Sequence, residues 1–86
     1  MVNMATLSDR FCERLAQALE LSGISQAELA RRSGMTRMQV NAFLKGRNTG
    51  ASLETVSRYA EALGIEPWHL LDDTDLATVF ENSHAA

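Results

Sequence analysis

Residues 25–46 read SQAELARRSGMTRMQVNAFLKG, and this stretch decides the fold. It holds two short helical patterns separated by a single glycine. The first opens with Ser25 and Glu28 in S-x-x-E spacing, the second with Thr36 and Gln39 in T-x-x-Q spacing. In such a box the hydroxyl accepts from the backbone N–H three residues on, and the Glu or Gln reaches back to the cap's own N–H, so each spacing predicts a helix start. Gly34 stands between the two patterns, where one helix must end in a left-handed residue before the next begins. Ala30 is small enough for the helices to approach closely, and Val40 is apolar where the space between them needs filling. Two short helices joined by a tight glycine-containing turn form a helix-turn-helix, placed here between Gln26 and Lys45.

On either side the pattern stays helical. Ser8 is the expected N-cap of a first helix from Asp9 to about Leu21, with Phe11, Leu15, Ala18 and Leu19 on one apolar stripe. Gly23 ends that helix and Ile24 folds back on it. In the third helix Val40, Phe43 and Leu44 face inward, and Gly46 closes it. A fourth follows Ser52, with Leu53, Val56, Tyr59, Ala60 and Leu63 inward and Gly64 at its end. Pro67 suits the first position of a fifth helix, which places Trp68, Leu70 and Leu71 in the core. A short sixth helix from about Asp75 would align Leu76, Val79 and Phe80. Alternating Val/Ile/Thr runs are missing, so no strand is expected. The expectation is an all-α, compact bundle of five helices with room for a short sixth. It divides into an arm at 1–8, the helix-turn-helix domain at 9–73 and an acidic tail at 74–86.

Eighty-six residues make one small domain, which dimerisation would help to stabilise. The net charge of −3 is unevenly placed. Between Arg31 and Arg58 stand six basic residues and one acid, Glu54, whereas Gly64 onward carries five acids and neither Lys nor Arg. One of Arg31 and Arg32 is expected to pair with a neighbouring acid. Cys12 is the sole cysteine and reads as a small core residue. With no signal peptide and no apolar run of about 18 residues, the expectation is a cytoplasmic protein without a membrane partner. Cys12, His69 and His84 match no zinc spacing, and Asp72, Asp73 and Asp75 lack the glycine and terminal glutamate of a calcium loop. No catalytic constellation stands out, so neither enzymatic activity, metal nor cofactor is expected.

Gln26-Ala27-Glu28-Leu29-Ala30, Gly34-Met35-Thr36, Val40, Phe43 and Gly46 together resemble the Cro/repressor (XRE-type) helix-turn-helix family of phage-repressor type. Leu63-Gly64-Ile65 and Pro67-Trp68-His69-Leu70-Leu71 are similar to that family's closing helix, so the resemblance runs from about Phe11 to Asp72. It implies a homodimer on operator DNA, with the second helix of the motif in the major groove. By position, Gln26 would contact phosphate. Thr36, Arg37 and Met38 would meet bases or adjacent phosphates, with Asn41 one turn on. Lys45, Arg47 and Asn48 would grip the backbone. The side chains suit those roles. Arg37 can donate twice to guanine, Asn41 can pair with adenine or touch phosphate, and Met38 can pack on a thymine methyl or simply fill space.

Leu76, Val79 and Phe80 lie outside the family core. They fit packing on the first or fifth helix of the same chain, or, as the preferred expectation, contact with a second subunit. The leading functional expectation is a sequence-specific transcriptional regulator, a repressor. Two others compete with it: an antitoxin-type module whose acidic tail neutralises a toxin, and a controller protein of a restriction system.

Overall fold

The apolar stripe of Phe11, Leu15 and Ala18 is the surface on which the other elements assemble. A computed structural model describes residues 4–47 and 51–84. It comprises α1 (Met4–Ser22), α2 (Gln26–Ser33), α3 (Arg37–Leu44), α4 (Leu53–Leu63), a 3-10 turn (Pro67–Leu70) and α5 (Leu76–His84), with no strand among the described residues. α1 packs against α3, α4, the 3-10 turn and α5, while α2 packs against α3 and α4.

At the centre, three aromatic rings tie the motif to the rest of the bundle. Phe43 of α3 meets Phe11 of α1 and Tyr59 of α4 edge-on, each at 5.6 Å, and Phe11 and Tyr59 lie 6.2 Å apart. These are the favourable offset geometries for aromatic quadrupoles. The Tyr59 side chain is fully buried, and its hydroxyl has no hydrogen-bond partner among the described residues. Burial first, then the neighbouring Cys12, pushes its pKa up to about 12. A buried hydroxyl without a partner carries a desolvation cost of about 1–3 kcal/mol. Tyr59→Phe is therefore expected to raise stability by about 1 kcal/mol, read as a higher thermal midpoint. A lower midpoint would mean that the hydroxyl is satisfied in solution.

Four sequence expectations need correction. First, α1 begins at Met4, so Ser8 is an interior helical residue and not an N-cap, and α1 takes in much of the expected arm. Leu7 and the buried Ser8 continue the inward face of Phe11 and line an apolar cleft with Ala51, Leu53, Val56 and Leu71, which extends the helix upstream.

Second, the segment at Pro67 is a 3-10 turn of four residues and not a full helix. Arg14 of α1 captures one carbonyl within it and one beyond it, donating from Nε to the His69 oxygen at 2.8 Å and from a terminal nitrogen to the Thr74 oxygen at 2.6 Å. Side chains three apart eclipse in a 3-10 turn, so Pro67 and Leu70 share the inner side. Trp68, expected in the core, is 56% exposed.

Third, Leu53 is 81% exposed rather than inward, because as the first residue of α4 it only borders the apolar cleft beside Val56.

Fourth, Leu76 and Phe80 are buried in the core of their own chain, with Val79 packed partly against it, and α5 sits on α1. Leu76 and Phe80 thus follow the other expectation, packing within their own chain, while Val79 stays partly exposed. Asp75 caps α5 by accepting from the Ala77 N–H and the Thr78 hydroxyl.

Candidate nucleic-acid interface

The local chemistry of the motif places α3. Ser25 caps α2 by accepting from the Glu28 N–H at 3.1 Å, although the reciprocal half of that box is missing because the Glu28 carboxylate turns to Arg31 and Arg32. Gly34 then takes φ +75°, and a Cβ there would sit 3.4 Å from the Arg58 guanidinium. Thr36 and Gln39 form the complete reciprocal box that starts α3.

Successive residues of a helix are about 100° apart, so the buried side fixes the outward one. Val40 and Phe43 are buried and Leu44 packs partly against the core, so Met38, Ala42 and Lys45 lie opposite. Met38 is 83% exposed, the most exposed large hydrophobic side chain of the motif. Arg37 and Gln39 flank it on either side and are exposed. Asn41 is only half-buried and sits toward the Arg37 edge. Thr36 is exposed, though its Oγ1 is engaged by the cap. Gln26 is exposed at the start of α2, and Lys45 and Arg47 are exposed where α3 ends. Asn48 lies outside the described residues. Sequence reasoning missed Gln39 and Ala42 as members of this surface. Ala42 could have been found by its i+4 spacing from Met38, whereas Gln39 had been assigned only to the cap.

The cations sort sharply. Arg10 pairs with Asp73 at 2.6 Å, and Arg14 lies 3.7 Å from Asp72. Arg31 and Arg32 both pair with Glu28, and Arg58 pairs with Glu54 at 2.8 Å. The three remaining cations, Arg37, Lys45 and Arg47, have no ion pair among the described residues, and all three lie on α3 or just after it. The cations without an ion pair thus stand at the two ends of α3, Arg37 at its start and Lys45 and Arg47 at and just beyond its end.

Hydrogen bonds from Arg31 and then Arg32 lower the Glu28 pKa to about 2. A carboxylate depressed on folding contributes stability above its unfolded pKa, here near 4.5, and loses that contribution as pH falls through about 2. The two α2 arginines therefore share one ionised carboxylate throughout the physiological range, and the three groups together keep a charge of +1. In an NMR titration of the side-chain carboxyl carbons, Glu28 should show a midpoint near 2, moving back toward 4.5 in Arg31→Ala. An ordinary midpoint in the parent would show that both arginines are available to an outside anion.

The comparisons agree with this geometry. The helix-turn-helix family model matches residues 15–67, which span α2, α3 and α4. None of the curated proteins compared with the chain matches it. Among solved structures, the restriction-modification controller protein C.AhdI from Aeromonas hydrophila is similar at 35% identity and a TM-score of 0.68, covering 73% of this chain and 94% of that one. With the motif, its packing and more than half of the sequence in agreement, the chain belongs to the helix-turn-helix family, of Cro/repressor (XRE) type.

Proposed function

We propose that this chain is a DNA-binding transcription regulator that lays α3 in the major groove. The observation that carries the reading is the confinement of the unpaired cations, Arg37, Lys45 and Arg47, to α3 and its end. An overall net charge of −3 does not oppose it, because Asp72 and Asp73 are turned to Arg14 and Arg10. Arg37, Met38 and Asn41 meet base edges, Gln26 and Thr36 meet flanking phosphates, and Lys45, Arg47 and Asn48 hold the backbone. The regulator acts as a homodimer, with its two α3 helices about 34 Å apart on a two-fold site. It acts in the cytoplasm, where the single buried Cys12 meets no oxidising conditions.

Selection of bound duplexes from a random pool, at a stated salt concentration, tests the reading. Enrichment of a two-fold symmetric sequence is expected, and no enrichment would overturn it. Lys45→Ala should weaken binding to every duplex alike and reduce the slope of log K against log salt by about 1.8 for the dimer, because one phosphate contact worth about 0.9 is lost from each subunit. A sequence-selective effect would move Lys45 from the backbone to the bases.

The likeness to C.AhdI favours a second, narrower reading, in which the regulator controls a restriction-modification operon. An enriched site that matches the sequence upstream of a neighbouring methylase or endonuclease gene would support it. The toxin-neutralising alternative has less behind it, since Asp72, Asp73 and Asp75 are already engaged within the chain.

A further inference from the structure

Gln39 does more than cap α3. The Thr36 N–H donates to Gln39 Oε1 at 2.8 Å, and the Gln39 N–H donates to Thr36 Oγ1 at 3.1 Å. A backbone N–H can meet only an acceptor, so the amide oxygen must face the cap and the Nε2H2 group must face away from it. The side chain is exposed, and no acceptor faces Nε2 among the described residues. Because Thr36 Oγ1 accepts from the backbone, its own proton is also left to donate outward. Arg37 lies between them in sequence, with five donors and no acceptor. The leading turn of α3 thus presents hydrogen-bond donors, with the matching acceptors turned back into the helix tip.

That polarity selects among base edges. An unconstrained glutamine reads adenine by donating to N7 while accepting from the N6 amino group. Gln39 can donate, but its oxygen is held at the Thr36 N–H and cannot align with N6. Guanine presents two acceptors in the major groove, N7 and O6, whereas cytosine presents a donor there. We infer that Gln39 is a specificity-determining residue whose amide N–H groups select guanine, the cap having fixed which end of the amide faces the DNA. The inference rests on the proposal that α3 enters the major groove.

Gln39→Glu separates capping from recognition. Glutamate in the same position preserves the box and suits a helix N-terminus, so the variant should melt at or above the parent temperature. Its outward atom is now an acceptor. In selection from a random pool at fixed salt, guanine preference should fall about tenfold at one position of each half-site, with cytosine taking its place through its N4 amino group. Gln39→Ala should lose the guanine preference there without gaining cytosine. Unchanged preference at every position, whether or not overall affinity falls uniformly, would overturn the inference while leaving the DNA-binding reading intact. No enrichment by the parent protein would overturn both.

Discussion

Phe43→Ala should cost about 3–5 kcal/mol of folding stability, as truncations of buried aromatic residues do. Phe43 is 4% exposed and makes edge-on contacts at 5.6 Å with both Phe11 and Tyr59. Its removal leaves a cavity where α1, α3 and α4 meet, and neither ring can fill it without tilting away from the other. Domains of this size are stable by roughly 5–15 kcal/mol, so the loss is a large fraction of the whole. The thermal midpoint should fall by more than about 10 °C, at roughly 4–8 °C per kcal/mol. Met38→Ala is the matching control on the same helix, because its side chain is 83% exposed and its loss should change stability by no more than about 0.5 kcal/mol. Denaturant unfolding of the two variants would measure the contrast. Comparable effects would mean that α3 is not held by the aromatic trio.

The contrast between Phe43 and Met38 also shows what can be read without coordinates. Capping spacing, a glycine between two periodic runs and the inward set of Val40, Phe43 and Leu44 are local signals, and they located α2 and α3 to within a residue. Where the outcome depends on a distant partner, the sequence carries no comparable signal. Nothing near Pro67 announces that Arg14, 55 residues earlier, takes the His69 carbonyl and limits the segment to a 3-10 turn. Nothing near Leu76 says whether its apolar set meets α1 of the same chain or a second copy, and α1 covers it.

Within the candidate interface the same division holds. Arg37 and Met38 follow from their places at the start of a recognition helix. The pairing of both Arg31 and Arg32 with Glu28 rests on i+3 and i+4 spacing, which was visible, although only one of the two had been expected to pair. The orientation of the Gln39 amide was not visible, because the T-x-x-Q spacing identifies the box without showing what its outer atoms present.

Arg37→Ala is where the functional reading meets its sharpest test. The side chain is exposed at the first position of α3 and has no ion pair among the described residues, so its loss should leave the thermal midpoint unchanged. What should change is discrimination. A guanidinium donating twice to guanine O6 and N7 is worth about 1–3 kcal/mol against the wrong base, so preference at one position of each half-site should fall roughly five- to 150-fold. Other positions should keep theirs. Arg37→Lys sharpens the test, because lysine retains the charge but not the planar fork. If Arg37 reads a base, the lysine variant should keep most of the affinity for unrelated DNA and still lose the guanine preference. If Arg37 instead holds a phosphate, lysine should restore near-parent binding, and Arg37→Ala should weaken all duplexes alike, with a salt slope lower by about 1.8 for the dimer (about 0.9 per subunit). Selection at fixed salt together with binding measured at several salt concentrations distinguishes these outcomes, and equal site preference in the parent and Arg37→Ala would remove Arg37 from the reading surface. Placement matters as much as charge: Arg31 and Arg32 carry the same guanidinium but both pair with Glu28 of their own helix, whereas Arg37 stands at the start of α3 with no ion pair among the described residues.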